Sequence, residues 1–186
     1  MPGSKLAAAG ISLVLVAGCG GGSDGEVTGG SVAARDWAQE VCGAVKVWSE
    51  AVQEGSGSLG ADLQGAAPEE ITEILAGFMG ESVAATGALI ETVQGAGTPD
   101  VAGGEAFAQE LDDTFTRARG ALAEIKTQIE AIEADTPEEV QKATAALGPD
   151  IQAALSTVDS NSIEDPSPEL TKVMRQVEEC DGALGV

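Results

Sequence analysis

The chain contains no histidine and no tyrosine. Without histidine there is no Ser-His or Cys-His nucleophile, no His-ligated zinc, and no side chain that titrates near neutrality at its ordinary pKa. Catalysis would fall to carboxylates, lysine or serine alone. We assign no catalytic residue, no cofactor and no enzymatic activity from the sequence. Basic residues are scarce too: nine Lys and Arg stand against 31 Asp and Glu, for a formal charge of −22. A phosphate-binding face needs clustered Lys and Arg, so nucleic acid is excluded as a partner. The same charge argues against a domain lying flat on an anionic membrane. Aromatics are limited to Trp37, Trp48, Phe78, Phe107 and Phe115. A core drawn mostly from Ala, Val, Leu and Ile suits closely approaching helices better than a large ligand cavity. At 186 residues the chain holds one domain plus a leader.

The leader occupies residues 1–18. Met1 to Lys5 form a short positive segment, and Leu6 to Val16 follow as an uncharged, mainly apolar run. That run is too short to span a hydrocarbon core as a helix, which takes about 20 residues. It has the form of the apolar region of a signal peptide.

The run ends in Val16-Ala17-Gly18-Cys19, which closely resembles the lipobox of bacterial lipoproteins. The resemblance implies diacylglycerol on the Cys19 sulfur and cleavage between Gly18 and Cys19. It also implies an acyl-anchored mature protein on the extracytoplasmic side of the cell membrane. Two or three chains make a stable anchor where a single one binds marginally. Residues 19–31 are read as the lipidated cysteine and a Gly/Ser-rich tether, with a root-mean-square reach of roughly 20 Å.

Residues 32–186 read as an all-α domain, a bundle of four to five helices, because helix-period runs recur and no sustained period-2 alternation is found. The first helix is expected from Ala34 to about Glu54, with Trp37, Val41, Val45, Trp48 and Val52 on one stripe and a Gly55–Gly60 linker after it. The second begins at Pro68, buries Ile71, Ile74, Leu75, Phe78, Ile90 and Val93, and stops at Gly95 and Gly97. Thr98-Pro99 reads as another helix start, interrupted by Gly103-Gly104. The third helix carries a heptad-like seam of Leu111, Phe115, Ala118, Leu122, Ile125, Ile129 and Ile132, which predicts near-antiparallel packing against neighbours. Thr136-Pro137-Glu138-Glu139 is a capping box opening a fourth helix whose stripe runs Val140, Thr144, Leu147, Ile151, Leu155, Val158, with a break at Gly148-Pro149. The last helix starts at Ser167-Pro168 and presents Leu170, Val173, Met174, Val177 and Cys180.

Cys42 and Cys180 remain after Cys19. An exported chain meets an oxidising compartment, so these two are expected to pair as a structural disulfide, with Cys42 at the flank of the bundle. Two thiolates without histidine or a nearby third cysteine make a poor zinc site, and no metal is assigned. The layout of the whole chain resembles small, acidic, Ala- and Gly-rich actinobacterial surface lipoproteins, a group that is itself uncharacterised. This likeness brings no activity with it.

Several pattern matches are refused. Gly55, Gly57 and Gly60 fit G-x-G-x-x-G but lack a preceding strand. Gly21-Gly22-Ser23-Asp24-Gly25 fits a nucleophile elbow but has no histidine to serve it. Asp159, Asn161, Glu164 and Asp165 depart from a calcium-loop pattern at its sixth and twelfth positions. Glu69, Glu70, Glu73, Glu138 and Glu139 sit where a helix dipole favours them, and Glu110, Asp112 and Asp113 read as a solvated face. The expected role is a non-catalytic module anchored by lipid, meeting a protein, a cell-wall component or a small ligand. The alternatives are an acidic envelope spacer and, more remotely, an enzyme working through carboxylates.

Overall fold

The first helix, α1 (Ala34–Asp62), is about 44 Å long, at 1.5 Å per residue. It belongs to a computed structural model that describes residues 30–133, 136–147, 149 and 166–184. The other elements are β1 (Ser31–Val32), α2 (Pro68–Ala96), β2 (Thr98–Pro99), α3 (Gly104–Glu130), α4 (Pro137–Ala146) and α5 (Pro168–Met174), followed by a 3₁₀ turn at Glu178–Cys180. The domain is an all-α helical bundle.

α1 runs through the segment expected to be a linker. Glycine is a poor helix former, and tertiary contact overrides that preference here. A Cβ on Gly55 would come within 3.0 Å of the Phe78 ring, so the missing side chain lets α2 approach. Ser56 and Ser58 turn their hydroxyls back onto the carbonyls of Gln53 and Gly55, and Leu59 and Leu63 pack onto the bundle beyond them. Gly55, Gly57 and Gly60 therefore lie on a helix and not in a loop.

α2 begins at Pro68, whose missing N–H is no loss in a first turn. Ala67 has no side-chain acceptor, but the Glu70 carboxylate accepts its backbone N–H at 2.8 Å. Gly97, at φ 77°, ends the helix. The two residues after it correct the sequence reading. Thr98-Pro99 does not start a helix but forms a parallel pair with Ser31–Val32. The N–H groups of Thr98 and Asp100 donate to the carbonyls of Gly30 and Val32 at 3.3 and 2.8 Å, and Pro99, which has no N–H, lies between them. Extended backbone before a proline serves a strand as well as a cap, and the carbonyls of Gly30 and Val32 decide for the strand. Ser31, assigned by sequence to the tether, is thus fastened to the domain.

α3 starts at Gly104 after Gly103 in the left-handed conformation at φ 75°. A Cβ on Gly104 would lie 2.2 Å from the Pro99 carbonyl oxygen, so only glycine fits. The proline habit of helix starts holds for α2, α4 and α5 but fails at α3.

α2 and α3 pack antiparallel in a clean heptad register. A Cβ on Gly80 would meet the Lys126 side chain at 3.4 Å, and one on Gly87 would meet Arg119 at 3.5 Å. Gln94 bonds Asp112 at 3.0 Å. Each pair lies seven residues on along α2 and seven back along α3, the repeat that keeps one seam facing a partner.

The main core lies toward the pole where the chain enters. Trp37 stacks edge-on against Phe107 at 6.0 Å and Trp48 against Phe115 at 5.3 Å, across α1 and α3. Val41, Leu89, Val93 and Leu111 fill the space between. α5 and the turn after it close this core. Their buried residues, Leu170, Met174, Val177, Cys180 and Ala183, tighten from a spacing of four to a spacing of three as the backbone passes from α to 3₁₀. The last helix therefore ends at Met174 and does not continue to Cys180.

A second, smaller cluster lies toward the other pole: Leu75, Ala76, Met79, Ile125 and Ile129 are buried. Ile71, Phe78 and Leu122, expected in the interior, are only half-buried there, as are Ile74 and, beyond the end of α3, Ile132. α4 is capped by Thr136, whose hydroxyl oxygen accepts the Glu139 N–H at 3.3 Å. Val140 is buried, and Thr144 and Leu147 are half-buried. Gly148 and the remainder of that predicted stripe, Ile151, Leu155 and Val158, lie outside the described residues.

Candidate functional site

Cys42 and Cys180 are joined by a disulfide with Cα atoms 4.8 Å apart. Cys42 stands among the α1 residues facing α5, and both cysteines are buried. The position is interior, not at the flank, because the C-terminal segment folds over α1 and covers it. Gly18 and Cys19, the acidic residues Asp159, Asn161, Glu164 and Asp165, and Gly21 to Gly25 lie outside the described residues.

The interior contains a short row of polar groups that the sequence reading missed. Thr86 is buried; its hydroxyl donates to the Ser82 carbonyl at 2.7 Å and accepts the Trp48 indole N–H at 3.0 Å. Each donor is thereby satisfied, and the Trp48 ring is fixed against Phe115. Trp37 differs: its ring is buried and its indole N–H has no partner among the described residues. An unpartnered buried donor costs about 1–3 kcal/mol, which the ring's packing has to offset.

Asp112 corrects the expectation of a solvated face. It is 1% exposed, between α3 and α2, while Asp113 beside it is exposed. Burial pushes its carboxyl above the ordinary carboxylate value. The hydrogen bond from Gln94 works in the opposite direction, and the Asp113 charge adds to the rise. A signal was available in the spacing. Asp112 lies four residues after Ala108 and three before Phe115, both buried, so it borders the apolar seam. The other carboxylates singled out by sequence, Glu69, Glu70, Glu73, Glu138 and Glu139, are exposed at the starts of α2 and α4. Among the described residues no three Cys, Asp or Glu side chains converge as a metal site.

Three grooves on the surface are lined by described residues. One groove, of about 400 Å³, follows the C-terminal turn from Met174 to Asp181. A second, of about 390 Å³, lies between Gly77 and Gly80 on α2 and the Lys126–Glu130 ion pair on α3. The third, of about 370 Å³, is the most apolar; Leu63, Ile71, Leu75 and Val140 line it, with Thr144 and Ala145 at its side. It opens at the pole away from β1, where α1 ends and α2 and α4 begin.

No family model, curated protein or solved structure matches this chain.

Proposed function

We propose that the chain is a lipoprotein, anchored through acyl chains on Cys19, that holds a non-catalytic helical interaction module on the extracytoplasmic side of the cell membrane. The observation that carries this reading is Val16-Ala17-Gly18-Cys19 at the end of an 11-residue uncharged run behind a positive start. The thiolate is the strong nucleophile that lipid transfer needs, and small residues before it let an extended backbone enter a peptidase.

Two structural features support the reading. A buried disulfide suits a domain that matures in an oxidising compartment. The strand pair at Ser31–Val32 ties the chain to one pole, so the Gly-rich residues before it act as a tether to that pole. An acidic domain held this way stands off anionic headgroups that repel it.

The test is expression in a bacterial host followed by membrane fractionation and intact-mass analysis. The natural chain should be found in membranes, beginning at residue 19 with an acyl-modified cysteine. Cys19→Ala should be uncleaved or released. A processed Cys19→Ala protein still in the membrane, or a natural chain unmodified at Cys19, would refute the proposal.

A further inference from the structure

We propose that the pole opposite the tether is a docking site for a basic amphipathic segment of another protein. This deepens the interaction-module reading and rests on it only for the outward placement of that pole.

The apolar surface there is half built. In the main core, among the described residues, 19 apolar side chains are buried and six only partly so. In the far-pole cluster the proportion among described residues reverses, with five buried and seven partly buried, and Val140 is buried beside them. The cause lies in α1, which buries nothing after Val45 and whose last turns are rich in glycine and serine. Leu63 and Ile71 are consequently left half-covered over a groove of about 370 Å³. An apolar surface that the described residues leave half-covered is the kind that marks a partner site.

Charge selects the occupant. The residues just before three of the lining positions are exposed carboxylates: Asp62 before Leu63, Glu70 before Ile71 and Glu139 before Val140. Glu138, one helical turn before Gln141 on α4, extends this rim, whereas Glu73 lines the second groove. The cations near this pole among the described residues are Lys126, which pairs with Glu130, and Lys142 on α4. A helix with an apolar stripe flanked by Lys and Arg satisfies both features: the stripe enters the groove and the ammonium groups meet the rim. A second copy would bring an equally acidic pole against this one, and an anionic lipid surface would be repelled.

The full 186-residue chain should be titrated into a fluorescently labelled, 18-residue Leu/Lys amphipathic helix, with binding read by anisotropy. The expected result is one-to-one binding that weakens severalfold as salt rises, with no binding of a Leu/Glu helix of the same pattern. Leu63→Glu should weaken binding tenfold or more. Should that variant lose its helical spectrum, Asp62→Lys with Glu138→Lys provides the second test. That exposed pair should weaken binding severalfold, whereas Glu40→Lys with Glu50→Lys on the outer face of α1 should leave it unchanged.

Equal weakening by the two charge pairs would reduce the effect to diffuse acidity and overturn the site. Unchanged binding by a folded Leu63→Glu variant would do the same. So would self-association abolished by Leu63→Glu, which would make the occupant a second copy. Exchange-protected amides around Leu63 that open when residues 148–165 are removed would assign the groove to the chain itself. None of these outcomes bears on acylation of Cys19, which intact mass reads separately.

Discussion

Removing the Cys42–Cys180 link by changing both residues to alanine should lower stability without unfolding the domain. The bond spans 138 positions. In the chain-entropy model a loop of that size removes about 5 kcal/mol of conformational freedom from the unfolded chain. Measured losses for native disulfides run about 2–5 kcal/mol, because residual structure in the unfolded chain already supplies part of the constraint. At roughly 2–4 °C per kcal/mol for a chain of this size, the melting temperature should fall by about 4–20 °C. The segment the bond secures should stay in place, since Leu170, Met174 and Val177 are buried against the main core independently of the sulfur link. The assay is thermal unfolding by circular dichroism, with the far-ultraviolet spectrum at 20 °C as a check on fold. Urea titration supplies a second measure: the midpoint should drop and the slope rise, as the uncrosslinked unfolded chain exposes more surface. A change in melting temperature of under 2 °C would show that the unfolded chain is constrained by something else. Loss of the helical spectrum at 20 °C would show that the burial of α5 depends on the bond.

Gly104→Ala places a methyl group 2.2 Å from the Pro99 carbonyl oxygen and should cost about 1–3 kcal/mol or more, whereas Gly120→Ala, with open space around it, should be neutral or stabilise by up to about 1 kcal/mol; urea midpoints compare them. Asp112→Asn should raise the melting temperature at pH 7. Burial raises the folded carboxyl's pKa above its unfolded value, so the folded state binds the extra proton and the penalty exists above that folded pKa. The advantage of asparagine should therefore shrink as pH falls through the folded value and vanish below the unfolded one; a pH-independent difference would refute this account. Ile125→Asp puts a charge into a site 2% exposed in the far-pole cluster and should unfold α3 from α2, read as loss of helical signal.

Periodic residues made much of the fold legible. Leu111, Phe115, Ala118, Ile125 and Ile129 recur at helical spacing and are buried where that spacing places them. The helix starts at Pro68, Pro137 and Pro168 could be read because capping is local: proline and an acidic first turn, joined at the latter two by a Thr or Ser acceptor, act within four residues. The cysteine pair was legible for a different reason, since the two cysteines beyond Cys19 have one intramolecular pairing open to them.

Misreadings arose where a distant group decides the local outcome. The glycines from Gly55 to Gly60 satisfy linker composition, yet Phe78, more than twenty residues away, makes the missing side chain at Gly55 an asset to packing. Thr98-Pro99 carries every local mark of a helix start, but the carbonyls of Gly30 and Val32 take the N–H groups on either side of the proline. Asp112 and Asp113 are identical in type and adjacent; the spacing along α3 sets Asp112 beside the apolar seam, but its burial and its bond to Gln94 are supplied by α2.

Composition and order by themselves determined that the domain is helical, strongly acidic and without histidine chemistry, because propensity, charge and side-chain inventory are sums over the chain. Only the tertiary structure decided where α1 ends, that Ser31–Val32 pairs with Thr98–Pro99, that one carboxylate is buried, and that apolar residues at one pole remain half-covered. Each of those depends on a contact between segments far apart in sequence, whose free energy exceeds the fraction of a kcal/mol to about 1 kcal/mol by which local preference separates one backbone conformation from another.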